Sequence, residues 1–378
     1  MHTMARSFFY FCQQVLFGVC LIVYLPIVLA VSLFESADAQ NISAAAVPAV
    51  FIRELKPPGT ANGFLRPDAV FVDNRFGEVY VSDPGQNRIV VFDTSGLFKF
   101  DFNFDGIFGS AGDLVVDSKG FVYVIGSTSS GKNIYVFDYD GLYLSKLQLS
   151  GLPPTQTLEL SHLTIDESDN LYIVDGTNAI VCSFDTEGNF RHQFPVLTEL
   201  TEKLRKEAIL GTPQIADSTL YLPASTEGMV LVYDLSGNLL REIGTQGTDV
   251  GYLNFPVGVA VTGGGVLLVL DKHRFNVVCY SIDGKFLGEF GGMGFRPGWF
   301  YHPGAIAVDN QGRSYISQVY LNLVQVCALP ESIIENAKSR SIKSSETKIN
   351  LPLLKAANRE EVIGQLTALL TNVNPFTL

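Results

Sequence analysis

Short runs in which apolar and polar residues alternate, each bounded by Gly, Asp or Asn, follow one another along most of the chain. A period of two puts one side of every run into a core, which predicts β-strands rather than helices. The clearest set is Pro67 to Asp73, Gly77 to Asp83 and Asn87 to Asp93, closed by Gly96. It recurs. Leu114 to Asp117, Phe121 to Val124 and Tyr135 to Asp138 form a second unit, and Leu163 to Asp166, Leu171 to Asp175 and Phe184-Asp185 a third. A weaker fourth keeps Gln214 to Asp217, Leu220 to Leu222 and Val232 to Asp234; the fifth runs from Pro256 to Ser281 and the sixth from Pro303 to Ala328.

The positions equivalent to Asp93 are 93, 138, 185, 234, 281 and 328, giving steps of 45, 47, 49, 47 and 47 residues. A repeat of that length, holding four short strands, predicts a blade, and six blades predict an all-β, six-bladed β-propeller over residues 50–329. The sixth unit ends after its third strand, near Leu329, while Val50 to Leu55 form an orphan strand before the first. That strand is expected to supply the missing outer strand and so remove the open edges of the ring.

Outside the repeat the pattern changes. His2 and Arg6 precede an apolar run from Val15 to Phe34, and Ala37-Asp38-Ala39 offers a small-x-small cleavage site before Gln40. Residues 1–39 read as a signal peptide; about twenty apolar residues are also enough for an uncleaved membrane anchor. Either way the protein is expected to be exported: periplasmic, at the cell surface or extracellular. The tail, residues 330–378, reads as a basic, serine-rich linker from Lys338 to Lys348, then a helix. Asn358 to Glu361 form a capping box and Val362, Ile363, Leu366, Leu369 and Leu370 one apolar face, to pack on the propeller or on another protein.

Hydrophobic residues make up 47% and charged residues 17%, while 35 glycines and 17 prolines fit frequent turns. A net charge of −12 argues against nucleic acid and anionic lipid as partners, leaving membrane contact to the N-terminal segment alone. Cys12 and Cys20 lie in the targeting segment, and Cys182, Cys279 and Cys327 in strand patterns. Buried thiols are expected, with a Cys279–Cys327 bridge between adjacent blades left open.

The residues of the first and fifth units resemble the NHL repeat: Pro-x-Gly-(Ile/Val)-Ala-Val-Asp, Gly-x-(Ile/Val)-Tyr-Val-(Ala/Ser)-Asp, then Asn-Arg-Ile-x-Val-Phe and Gly. The resemblance implies a six-bladed propeller whose relatives bind proteins or nucleic acid, a minority being lyases or related hydrolases. Those lyases hold zinc through histidines placed after the first-strand proline. The corresponding positions are Asp68, Gly112, Ser161, Thr212, Val257 and Gly304, none of them histidine.

Binding residues concentrate on long loops carried by a rigid scaffold. Loops entering the first strand share a face with those between the second and third strands. Around the channel mouth on that face come Asp68, Asp113 and His162; the second-to-third-strand loop of unit five carries His273 and Arg274; the loop entering unit six carries Trp299 and His302, with Phe295, Phe300 and Tyr301. The insertion Glu199 to Ala208 is rich in helix formers and is either a lid or a patch on the irregular fourth unit. No nucleophile elbow, zincin motif or phosphate loop is present. The expectation is therefore a protein-binding scaffold, more binder than enzyme, with no cofactor and with another exported protein as its partner. The alternative is a metal-dependent lyase or lactonase that holds Ca2+ or Zn2+ through Asp68 and Asp113.

Overall fold

A computed structural model describes residues 47–58, 63–154 and 156–338. The signal segment, the linker beyond Lys338 and the capping-box helix lie outside the described residues.

The strands form six four-stranded antiparallel sheets. Their first strands are Val70–Asp73, Ser110–Val116, His162–Ile165, Gln214–Ala216, Pro256–Val261 and Pro303–Val308. Each of these touches the first strand of the next blade, and the last touches the first, so they ring a central axis. Closure is as expected: Val50–Leu55 pairs antiparallel with Leu323–Ala328, joining Phe51 to Cys327 and Leu55 to Val324. The weak fourth repeat has the shortest inner strand, three residues.

Six apolar clusters form the core, one per seam between blades. Phe137 and Val124 of blade 2 pack on Tyr80 and Val91 of blade 1. At the closing seam, Tyr315 and Val326 of blade 6 meet Leu55, Val79 and Phe92. Alternation in each blade serves two seams at once, so both faces of the middle strands are apolar.

The recurring Asp of the third strand is turn chemistry. Asp138 Oδ1 accepts from the Asp140 and Leu142 amides at 3.0 and 2.8 Å, and Asp185 and Asp234 repeat the contact. Between those amides Gly141, Gly188 and Gly237 take φ of 83, 87 and 91°, a region open to glycine at no steric cost. Blade 6 has Ala328 at this position because no fourth-strand hairpin follows it.

The chain enters helix α1 (Glu202–Glu207) in the fourth-blade insertion, capped by Thr201. The helix buries none of its residues, whereas flanking Leu197, Ala208 and Leu210 are buried in the seam between blades 3 and 4. The insertion therefore patches that seam. A second helix, α2 (331–338), opens the tail: Ile333 is buried against blade 5, and Asn336 Nδ2 donates to the Leu287 carbonyl at 2.8 Å. A β-carbon at Gly288 would come within 2.8 Å of Ile333, so the helix lies where only glycine lets it.

Candidate functional site

Three of the expected residues converge at the channel mouth. Asp113 sits in a bulge of its inner strand, between Ala111 and Leu114, which turns its side chain toward blade 3. His162 Nδ1 lies 2.7 Å from Asp113 Oδ2, and His162 Nε2 lies 3.1 Å from the Leu210 carbonyl. A carbonyl and a carboxylate both only accept, so both ring nitrogens carry protons and the imidazolium satisfies the site. Desolvation opposes the charge, but the Asp113 carboxylate and the Leu210 carbonyl outweigh it and raise the His162 pKa. The Thr212 hydroxyl completes the group, donating to Asp113 Oδ1 at 3.4 Å.

Asp68 faces this group from blade 1. It stays open to channel water, yet the surrounding protein and the Asp113 charge raise its pKa, against Arg66, His162 and Lys272. Within the channel a cavity of about 80 Å³ is lined largely by inner-strand residues such as Phe71, Val115 and Ile306. That volume holds a few waters rather than an organic substrate. Among the described residues, no three His, Cys, Asp or Glu side chains group as a metal-ligand set.

Other carboxylates are committed to structure. Asp83, Asp175 and Asp271 are fully buried at the ends of second strands. They accept the amides of Leu65, Glu159 and Asn254, which belong to the entry loops of their own blades. The Gly-x-Ile/Val-Tyr-Val-x-Asp stretch of the repeat thus ends on the residue that anchors its blade's entry loop.

Blades 5 and 6 gather the remaining candidates. His273 stacks on Phe255 at 4.5 Å between centroids. Arg274 forms a fork with Glu289, at 2.9 and 3.0 Å, and donates to the Tyr252 carbonyl. These flank a cavity of about 330 Å³. On the other side of the same loop, Phe275 stacks on Tyr301 with planes 8° apart, and its edge meets His302. Phe295 and Tyr320 join this cluster and are 68 and 69% exposed. Trp299 stands apart, half-buried, its backbone carbonyl held by Gln325. Phe300 is fully buried on Phe290.

The sequence does not point to Glu289, Phe275 or Tyr320, and it marks Thr212 only as a position without a histidine. A threonine opposite a His–Asp pair has no local signature, because the three come from different blades. Tyr320 is legible as an aromatic in a second-to-third-strand loop, the same kind of loop that carries His273. Cys182, Cys279 and Cys327 are all free and buried, so Cys279 and Cys327 form no bridge.

Residues 110–200 match a family described as a six-bladed β-propeller. The chain is a six-bladed β-propeller. No curated protein matches the sequence. Among solved structures, a streptogramin B lyase shares 12% identity over 75% of this chain and 98% of its own, with a TM-score of 0.51. Virginiamycin B lyase from Staphylococcus aureus gives 12%, 74%, 99% and 0.53 on the same measures. A structural-genomics protein of unknown function from Bacteroides thetaiotaomicron shares 16% identity over 76% of this chain and 75% of its own, with a TM-score of 0.55. Likeness at this level of identity carries architecture, not activity.

Proposed function

We propose that the protein is an exported NHL-type propeller that binds another exported protein through its entry face at blades 5 and 6. The observation that carries this reading is the aromatic cluster in which half-buried Phe275, Tyr301 and His302 support the exposed rings of Phe295 and Tyr320. Two large rings open to solvent and held by half-buried neighbours offer apolar contact at little entropic cost, which is how interface anchors work. The channel mouth supports a binder over a catalyst. Asp113 and His162 spend their polar atoms on each other, on Thr212 and on the Leu210 carbonyl, and the zinc-histidine positions of the lyase relatives hold no histidine here.

A photo-crosslinking residue at Phe295 or Tyr320, expressed in the native compartment, should give discrete adducts with a partner protein. The control is Phe76, 57% exposed in a turn on the opposite face. Adducts from Phe76 alone would overturn the assignment of the face, and adducts from none of the three would overturn the scaffold reading. Stoichiometric calcium or zinc in the purified protein, lost in an Asp68→Ala/Asp113→Ala variant, would favour the lyase or lactonase alternative instead.

A further inference from the structure

The 330 Å³ cavity beside blade 5 is separate from the aromatic cluster and from the channel, and it falls within the size range of small-ligand pockets. Its polar lining comes from three places. Thr248 and Asn254 belong to the loop entering blade 5, His273 and Arg274 to the loop between its second and third strands, and Asn276 and Glu289 to its third and fourth strands. The floor and rim are apolar where Phe290 and Val47 contribute.

Hydrogen bonding sorts these groups into spent and unspent. Glu289 is spent: both oxygens accept from Arg274, and Oε2 also accepts the Gly251 amide. The pair neutralises itself, so the cavity carries no net charge to recruit an ion. Among the described residues, the side chains of Thr248, Asn254 and His273 make no hydrogen bond. Asn276 is 5% exposed and its Oδ1 is buried without a partner. A buried acceptor left unpaired is costly, and folded proteins rarely keep one without a group to fill it.

We propose that this cavity is a binding site for a neutral sugar ring. The unspent set mixes an acceptor, an amide, a hydroxyl and an imidazole, so it calls for a ligand whose groups both donate and accept, as hydroxyls do. Charge points the same way. Arg274 and Glu289 satisfy each other, so neither an anion nor a cation finds an uncompensated countercharge in the cavity. The His273 ring, backed by Phe255 at 4.5 Å, provides a flat apolar surface for the C–H face of a pyranose.

The test is isothermal titration of the full chain with maltotriose, cellotriose and chitotriose, and with trigalacturonate as the charged comparison. At least one neutral trisaccharide should bind and trigalacturonate should not. Asn276→Leu should weaken binding about tenfold or more, equivalent to ~1.4 kcal/mol. Because Asn276 is buried, Thr248→Val and His273→Ala, nearer the surface, provide the second readout and should each weaken binding, whereas Phe295→Ala should not. No binding of any neutral saccharide overturns the proposal, as does binding that the cavity variants leave unchanged. The crosslinking at Phe295 and Tyr320 reads a different set of residues, so either proposal can fail without the other.

Discussion

His162 of blade 3 and Asp113 of blade 2 stand 2.7 Å apart at the channel mouth, and the imidazole reaches on to the Leu210 carbonyl ahead of blade 4. One protonated ring therefore ties three consecutive blades. His162 is three-quarters screened from solvent and Asp113 more so, which keeps the pair from being a freely hydrated surface contact.

The tie is expected to depend on pH. The folded-state pKa of His162 is raised, so its contribution is complete below the ordinary imidazole value of about 6.5 and fades as pH rises through the higher folded value. Thermal unfolding of the wild type and of His162→Gln across pH 5 to 9 should diverge most at the acid end, by about 1 kcal/mol, and converge at the alkaline end. A constant gap would mean that the ring acts by packing alone.

Asp68 carries the opposite sign. A carboxyl whose pKa is raised on folding costs stability once ionised, so Asp68→Asn should raise the melting temperature at pH 7 and change it little below the ordinary carboxylate range. Differential scanning calorimetry at pH 7 and pH 3 makes the comparison. A fall at pH 7 would mean that the carboxylate is paired more strongly than its neighbours Arg66, His162 and Lys272 account for.

Leu55 is 2% exposed in the seam that closes the ring. Leu55→Ala should cost about 2–4 kcal/mol, as large-to-small changes do in packed cores. Val50→Ala, on the same strand but 49% exposed, should cost little. Equal losses in chemical denaturation would show that strand pairing rather than seam packing sets the stability of closure.

The thiols should be inert in the folded protein. Burial pushes the pKa of Cys182 and of Cys327 up to about 12, and Cys279 is raised further still. Thiolate is the reacting form, so a disulfide reagent at pH 8 should modify these three only after denaturant is added. Rapid reaction of one of them in the folded state would mark a seam that opens.

Most of the architecture is legible in the sequence, because each blade repeats the same local rules. Alternation revealed the strands, and the glycine after each ruler Asp revealed the hairpins. The missing outer strand of the sixth repeat revealed Val50–Leu55 as its completion. The site was legible only in part. Asp113 and His162 were visible as polar residues at inner-strand entrances, but their contact depends on a bulge and on the Leu210 carbonyl, neither of which alternation encodes. The sequence offers Arg274 as a ligand residue, whereas Glu289, fifteen positions on in an outer strand, pairs with it. The start of the tail was hidden for a related reason: α2 is placed by Gly288, and a glycine in a strand pattern does not say what will lie against it.

The pairing of Val50–Leu55 with Leu323–Ala328 spans nearly the whole propeller in sequence. A chain made from its N-terminus holds the first of these strands without its partner until the third strand of the sixth blade has been synthesised. Through that interval the apolar side of Leu55 and the unpaired backbone of its strand are exposed to any other chain, and local contacts within single blades form long before this one. The closure that protects the finished ring is therefore the last protection the nascent protein acquires.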